Sequence, residues 1–207
     1  PYPSAFHAPY PATKALAEQA VRAAAGRGLA TLCLRPHLIW GPGDNHLVPR
    51  ILARARRLRR VGDGANRVDT IYIDNAAAAH LLAADALARH PQLSGNVYFI
   101  SQDDPIALWE MVDRILAAGG LPPVRRSISP SATRSLGAVL EWLYRTFRLP
   151  GEPPMTRFVA AELASAHWFD ISAAKRDLGY RPQVGTEEGL ARLAHWLKAR
   201  SGRPPAK

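Results

Sequence analysis

Stretches with a helical pattern alternate with short strand-like ones along the first part of the chain, and that order restricts the fold more than any other feature. Residues 11 to 25, "PATKALAEQAVRAAA", are rich in Ala, Leu, Glu and Gln and stop at Gly26 and Gly28, as a glycine-terminated helix does. "LATLCLRP" follows as a buried strand ended by Pro36, which has no N–H for the sheet ladder. A glycine-rich loop, "WGPGDN", leads into "RILARARRLRR", residues 50 to 60. There Arg50, Arg54, Arg57 and Arg60 recur at helical spacing, with Ile51, Leu52, Ala55 and Leu58 on another side. "RVDTIYID" is the next strand, and Asp74 and Asn75 are N-cap candidates for the helix "AAAAHLLAADALAR". "GNVYFIS" and "PIALWEMVDRILAAGG" add one more strand and helix. Such alternation builds an α/β domain on a largely parallel sheet, because parallel neighbours need a crossover between them.

Beyond Gly120 the strand signal fades. Residues 131 to 148, "SATRSLGAVLEWLYRTFR", read as an amphipathic helix with Leu136, Val139, Leu140, Leu143 and Phe147 on or near one face. "LPGEPPM" breaks the chain, and "RFVAAELASAHWFDISAAKRDLGYRP" with "TEEGLARLAHWLKAR" completes a smaller, mostly helical region. The tail from 201 to 207 is expected to be disordered.

Composition narrows the function classes. With 47% hydrophobic and 21% charged residues the chain reads as globular, and the reading places it in the cytoplasm, since no apolar run is long enough to span a bilayer. A single cysteine, Cys33, excludes an intramolecular disulfide and a thiolate metal site. His37, His46, His80 and His167 have no metal-ligand spacing, so no metal is expected. The formal charge of +10 raises the question of nucleic acid, but no aromatic interleaving or nucleic-acid module accompanies the basic stretch, and no nucleic-acid partner is expected. "LEWLYRTFR" suits either a membrane surface or the helices of a partner subunit.

The chemistry-bearing pair is Tyr10 and Lys14, one helical turn apart in "YPATK" and so on one helix face. An ammonium beside a phenol favours the phenolate and makes the pair a usable proton donor and acceptor near neutral pH. Spacing alone is weak evidence for this, but the order of motifs is not. "YPATKALAEQ", "LRPHLIWGPGDN", "VGDGANRVDTIYIDNAAAAHLLAADAL" and "FDISAAKRDLGYRP" with "EEGLARLAHWL" occur in fixed succession. This resembles the extended short-chain dehydrogenases, in the 3-beta-hydroxysteroid dehydrogenase-like branch of the epimerase/dehydratase superfamily. Within it, "LRPHLIWGPGDNHLVPRI" and "LPGEPPMTRFVAAELASAHWFDIS" look like the reductases of bacterial long-chain olefin synthesis, which act on 2-alkyl-3-oxoalkanoates with NADPH.

The resemblance implies an α/β fold that is the C-terminal part of a Rossmann-type doubly wound parallel sheet, plus a smaller, mostly helical substrate-binding subdomain. Residues 1–120 would be the dinucleotide-binding part with interleaved substrate segments, and 121–200 the substrate part. Tyr10 would be the catalytic acid or base with Lys14 its partner, and both, with Pro36, His37, Leu38 and Ile39, would hold NADP or NAD. Asn45, Arg67 and Trp168 would meet a small apolar or acyl substrate, and a homodimer is implied at full length. The implied reaction interconverts a ketone and a secondary alcohol on a 2-alkyl-3-oxoalkanoate or a 3-hydroxysteroid-like lipid. Two alternatives remain open: a nucleotide-sugar epimerase or dehydratase, whose usual Arg-Asp pair is interrupted here by Val68, and a noncatalytic interaction module.

No G-x-G-x-x-G follows a strand, so the loop that would cradle a pyrophosphate is missing from these residues, along with the residue that selects NAD or NADP. At about 30 residues for each βα repeat, the sequence leads to the expectation of an N-terminal truncation. A chain so shortened would bind no dinucleotide tightly, show negligible activity alone, and aggregate through an exposed sheet edge.

Overall fold

The computed structural model describes Tyr2 and residues 9–26 and 28–201. Eight α-helices and eight short strands are found among them: α1 (Pro9–Ala24), β1 (Cys33–Pro36), β2 (Ile39–Trp40), α2 (Leu47–Arg54), β3 (Arg60–Val61), β4 (Arg67–Val68), β5 (Ile71–Tyr72), α3 (Ile73–Arg89), β6 (Val97–Ile100), β7 (Ile106–Ala107), α4 (Leu108–Ala118), β8 (Ser127–Ile128), α5 (Pro130–Thr146), α6 (Arg157–Ala164), α7 (Ser172–Leu178) and α8 (Thr186–Ser201). Three strand pairs are parallel, β1 with β6, β2 with β5 and β3 with β8, and β4 with β7 is antiparallel. The chain is thus α/β with mainly parallel pairing. Residues 202–207 of the expected tail lie outside the described residues.

Two compact units each draw on three separate stretches of chain. The first comprises Pro1–Asp44, Asp69–Asp104 and Phe169–Arg192. Its core forms where α3 lays Ala76, Ala79, Ala83 and Ala86 against Ile71, Tyr98 and Ile100, with Ala174, Leu178 and Tyr180 from the α7 region. Small residues repeated every three or four positions let a helix approach strands closely, so the alanine run of α3 is a packing face. Gly179 ends α7 at φ 65°, in the left-handed region a glycine enters without strain, and Tyr180 beyond it is fully buried, its hydroxyl donating to the Ser101 carbonyl at 2.9 Å. Burial pushes the Tyr180 phenol well above its ordinary pKa.

Three local expectations change in the structure. Asn75 is not an N-cap: α3 starts at Ile73, its N-cap Tyr72 makes no side-chain cap bond, and Asn75 is 1% exposed inside the first turn. Its amide satisfies a distant segment instead. Oδ1 accepts from the backbone N–H of Gln183 (2.9 Å) and Val184 (3.0 Å), while Nδ2 donates to the Val184 carbonyl (2.8 Å) and to Gln102 Oε1 (3.1 Å). "RVDTIYID" is not one strand, because the chain passes from the second unit to the first between Val68 and Asp69, and β4 and β5 pair with different neighbours. The basic helix ends at Arg54 with a 3-10 turn over Ala55–Arg57; Arg60 leaves it for β3 and donates to Asp113 Oδ2 at 3.1 Å. Burial of Leu58 and Val61 in the second unit's core rewards that exit from the helix.

Gly189 supplies a test in the first unit. A Cβ there would stand 2.7 Å from Tyr72 Cδ2 and 2.8 Å from Trp40 Cη2, inside the edge-to-face pair those rings form at 5.3 Å. Gly189→Ala is expected to lower unfolding free energy by about 1–3 kcal/mol through overpacking, although alanine is the better helix former by about 1 kcal/mol. Urea denaturation checks this; a gain in stability would show that the rings yield.

The second unit comprises Asn45–Val68, Pro105–Trp168 and Leu193–Lys207. Val61, Trp109, Val112, Leu116 and Val124 form its core, flanked by Leu52, Leu58, Ile128 and Leu163. Helices α5 and α6 pack at Gly137, where a Cβ would meet the Thr156 backbone at 2.7 Å. Only a residue without a side chain permits that approach.

Candidate functional site

Within the first unit, α1 presents Tyr10, Lys14 and Glu18 on successive turns of one stripe. Tyr10 is 70% exposed and Lys14 is exposed, while the Thr13 hydroxyl donates to the Tyr10 carbonyl at 2.9 Å. Glu18 fastens the stripe to β1. Arg35 donates from Nε to Glu18 Oε2 at 2.7 Å and from Nη2 to Oε1 at 2.5 Å, and the Tyr2 hydroxyl donates to Oε1 at 2.7 Å. The Arg35 hydrogen bonds hold the Glu18 carboxyl below its usual pKa against the opposing effect of burial. Farther along α1, Arg22 Nε donates to the Gly95 carbonyl at 3.0 Å.

Pro36, His37, Leu38 and Ile39 occupy the carboxyl end of β1 and the start of β2. Pro36 stands opposite Ile100 in the parallel β1–β6 pair. Open parallel α/β sheets bind ligands beyond this end of their strands. Leu38 turns the chain there at φ 45°, a conformation that non-glycine residues seldom adopt, and its carbonyl accepts from the Ile71 N–H at 3.3 Å. Ile39 is paired with Ile71 and Trp40 with Tyr72. His37 meets the ring of Phe169 edge-on at 5.2 Å, Phe169 stacks on Phe99 at 4.2 Å, and the Arg35 guanidinium lies over Phe99 at 5.1 Å. The sequence-predicted Tyr10–Lys14 pair is therefore carried by α1 and the Pro36–Ile39 segment by the β1–β2 junction, and the Glu18–Arg35 ion pair joins α1 to β1.

Sequence reasoning missed Glu18, the Phe99–Phe169 stack and Asp69. The signal for Asp69 was an acid set among β-branched residues in "RVDTIY". Asp69 is 1% exposed; its Oδ2 accepts from the Phe169 N–H at 2.8 Å, and its Oδ1 is buried without a hydrogen-bond partner. Burial pushes this carboxyl upward, with the Phe169 N–H and the Ser101 hydroxyl pulling the other way. An acid whose folded pKa is raised binds its proton more tightly in the folded chain, so its stabilising contribution is complete below the unfolded pKa and is lost as pH rises through the folded one. Asp69→Asn should accordingly raise the Tm near neutral pH, by about 2–4 °C for each kcal/mol gained. Thermal melts at falling pH should show the advantage shrinking toward the ordinary aspartate range; a constant or growing advantage would contradict the assignment.

The residues expected from sequence to meet a substrate, Asn45, Arg67 and Trp168, belong to the second unit. Arg67, in β4, donates from Nε to the Pro105 carbonyl at 3.2 Å and also from Nη2. Its own carbonyl accepts from the His167 N–H at 2.9 Å, which brings the exposed Trp168 beside it. Asn45 is exposed just ahead of α2. A groove of about 470 Å³ in the same unit is lined by Arg60, Trp109, Glu110, Asp113 and Arg114, none of them predicted from sequence. Its charges are engaged within it, Arg60 with Asp113 at 3.1 Å and Arg114 with Glu110 at 2.6 Å. Among the described residues no group of three potential ligands could hold a metal ion, and no helix is long and apolar enough to cross a membrane.

Comparison with known proteins places this geometry in a family. Residues 1–128 match the model of the 3-beta hydroxysteroid dehydrogenase/isomerase family. A 2-alkyl-3-oxoalkanoate reductase of Stenotrophomonas maltophilia is 55% identical over 195 residues, covering 93% of this chain and 59% of the relative. A sterol-4-alpha-carboxylate 3-dehydrogenase of Schizosaccharomyces pombe is 36% identical over 202 residues, covering 95% of this chain and 59% of the relative. The chain thus spans little more than half the length of the curated relatives it matches. Among solved structures, a UDP-glucuronic acid 4-epimerase of Bacillus cereus in complex with NAD superposes with a TM-score of 0.63 at 18% identity, over 95% of this chain and 54% of that one. That likeness concerns the fold, which is of the Rossmann type. With its parallel pairs and the Tyr10–Lys14 helix fastened to β1, the chain belongs to the 3-beta hydroxysteroid dehydrogenase/isomerase family.

Proposed function

We propose that this chain carries the proton-transfer and substrate-side parts of an NAD(P)-dependent oxidoreductase that interconverts a ketone and a secondary alcohol on a long-chain 2-alkyl-3-oxoalkanoate. The observation that carries the reading is the Tyr10–Lys14 pair on one stripe of α1, fastened through Glu18 and Arg35 to β1, the strand that leads into Pro36–Ile39. The substrate class follows from the 55% identity to the Stenotrophomonas maltophilia reductase.

Leu38 turns the chain at the carboxyl end of the parallel β1–β6 pair, the end at which open parallel sheets take their ligands. A bound nicotinamide supplies the hydride for reduction or accepts it for oxidation. In reduction, the Tyr10 hydroxyl gives its proton to the substrate oxygen; in oxidation it takes that proton back. Lys14 steadies the phenolate by charge and offers an N–H to a ribose hydroxyl. Pro36, His37, Leu38 and Ile39 would hold the nicotinamide. Trp168 offers apolar contact to an acyl chain, and Arg67 and Asn45 offer donors to its carboxylate. A homodimer at full length and a cytoplasmic location complete the reading.

The test supplies the protein, at its full natural length, with NADPH or NADH and in turn a long-chain 2-alkyl-3-oxoalkanoate, a 3-oxosteroid and a UDP-sugar. Cofactor oxidation fastest with the oxoalkanoate is expected. Turnover confined to the UDP-sugar would replace the reading with the epimerase one, and binding of cofactor and substrate without turnover of any of them would favour a noncatalytic module.

A further inference from the structure

The basic stretch concentrated in residues 50 to 60 has no role in that reaction, and the second unit sets a second basic run beside it. Helix α2 closes on the end of α4, where a Cβ on Gly119 would stand 2.6 Å from Leu52 Cδ2. The chain then enters β3 alongside β8. The Arg60 N–H donates to the Arg126 carbonyl at 2.8 Å and the Gly62 N–H to the Ile128 carbonyl at 3.0 Å. This parallel register sets Arg60 opposite Ser127, so Arg59 runs level with Arg126. Arg50, Arg56, Arg57, Arg125 and Arg126 are exposed and Arg59 is half-buried.

No acid occurs from residue 45 to 62 or from 114 to 140. The acid that borders the second stretch, Asp113, is already engaged, accepting from Arg60 Nη2 at 3.1 Å and from the Val124 N–H at 2.8 Å. Among the described residues none of the six arginines just named has a carboxylate partner. Like charges on neighbouring strands repel, and nothing in the unit offsets the repulsion. The apolar side of the patch is a second, independent observation. Among the described residues no large apolar side chain is exposed from 45 to 62 or from 119 to 128. Such a surface has nothing to insert among acyl chains and no ring on which a base could stack.

We propose that the arginine patch at the end of α2 and the entries of β3 and β8 docks an acidic helix of a partner protein. Guanidinium forks pair with carboxylates through two parallel hydrogen bonds, which makes arginine the cation suited to such a contact. The spacing fits as well. Neighbouring strands lie about 4.8 Å apart, and acids one turn apart on a helix face are separated by about 5–6 Å, so Arg59 and Arg126 together match two carboxylates of one helix. Arg56 and Arg57 extend the contact on one side and Arg125 on the other. A second copy of this chain, with its formal charge of +10, is repelled by the patch. Docking is read without turnover, so it stands or falls separately from the proposed reaction.

The experiment is fluorescence anisotropy of a labelled helical peptide carrying a glutamate at every fourth position, titrated with the protein at its full natural length. Saturable binding is expected at about 0.1 M salt, where the Debye length is about 10 Å, and it should fall steeply as salt rises. Arg57→Ser, Arg59→Ser and Arg126→Ser together should weaken it about tenfold, the sum of three exposed pairs. The Tm of that variant should hold, because removing like charges relieves repulsion; this separates docking from folding. Arg134→Ser, Arg145→Ser and Arg148→Ser remove the same net charge from α5 and the turn after it, and they should leave the affinity within about twofold. An equal loss from this second variant would reduce the effect to net charge and overturn the proposal. So would a patch variant that binds like the parent. Tighter binding of duplex DNA or of phosphatidylglycerol vesicles, lost in the patch variant, would also overturn it, because the patch would then serve phosphates.

Discussion

Replacing Tyr10 by phenylalanine is expected to lower turnover by two to four orders of magnitude, about the contribution of a positioned proton donor, while leaving the folded structure unchanged. The second half of the expectation comes from exposure. With 70% of its surface accessible and its position on the solvated stripe of α1, the Tyr10 side chain contributes little to packing. Loss of the hydroxyl therefore removes chemistry and not stability. Steady-state kinetics in the full-length protein, with Tm measured alongside, checks both parts. Cofactor affinity should hold within a few fold, because Lys14 and Pro36–Ile39 remain. Unchanged turnover would remove Tyr10 from the proposed mechanism, and a large fall in Tm would mark it as a structural residue.

Replacing Asn75 by alanine is expected to cost about 3–5 kcal/mol, the range for breaking a buried network in which several partners are left without mates. The amide of Asn75 makes four hydrogen bonds, to the N–H groups of Gln183 and Val184, the Val184 carbonyl and Gln102 Oε1. Gln102 in turn accepts from the Tyr72 N–H at 3.2 Å and donates to the Val184 carbonyl at 2.5 Å, so one network ties the start of α3 to the segment ahead of α8. Alanine would leave the Val184 N–H without an acceptor in the buried interior, where such a loss costs about 1–3 kcal/mol, and would take the acceptor from the part-buried Gln183 N–H as well. Urea denaturation should show the midpoint falling with little change in slope. Asn75→Asp tests the same network by charge: a carboxylate can still accept the two N–H groups but turns acceptors toward the Val184 carbonyl and Gln102 Oε1. A loss under 1 kcal/mol in both variants would show that water replaces the amide at no cost.

Much of the fold was legible because its periodicity is local. The helix predicted over 11 to 25 is α1, the strand in "LATLCLRP" is β1, and the alanine-rich run is α3, since glycine stops, a terminal proline and β-branched runs act over a few residues. The family was legible for a different reason, the order of motifs from Tyr10 to the last helix. What failed depended on partners distant in the chain. Asn75 reads as a cap from its place before a helix; three of its four hydrogen bonds go to residues more than a hundred positions away. Arg60 reads as the next step of a basic helical face, and it leaves because Leu58 and Val61 bury themselves in a core that α4 and β8 help to form. Glu18 reads as one more helix former, and Arg35 makes it the anchor of the Tyr10–Lys14 stripe.

By itself, then, the sequence determined which elements form and which family they belong to, because helix and strand preferences, turn residues and motif order are written in short spans of chain. The tertiary structure alone decided which polar groups are satisfied and which faces stay open: that Asn75 is saturated, that Asp69 is buried with one oxygen unmatched, and that α5 spends its glycine side on α6 and leaves its aromatic side to solvent. Burial and long-range pairing are properties of where the chain returns to itself, and local composition does not encode that return.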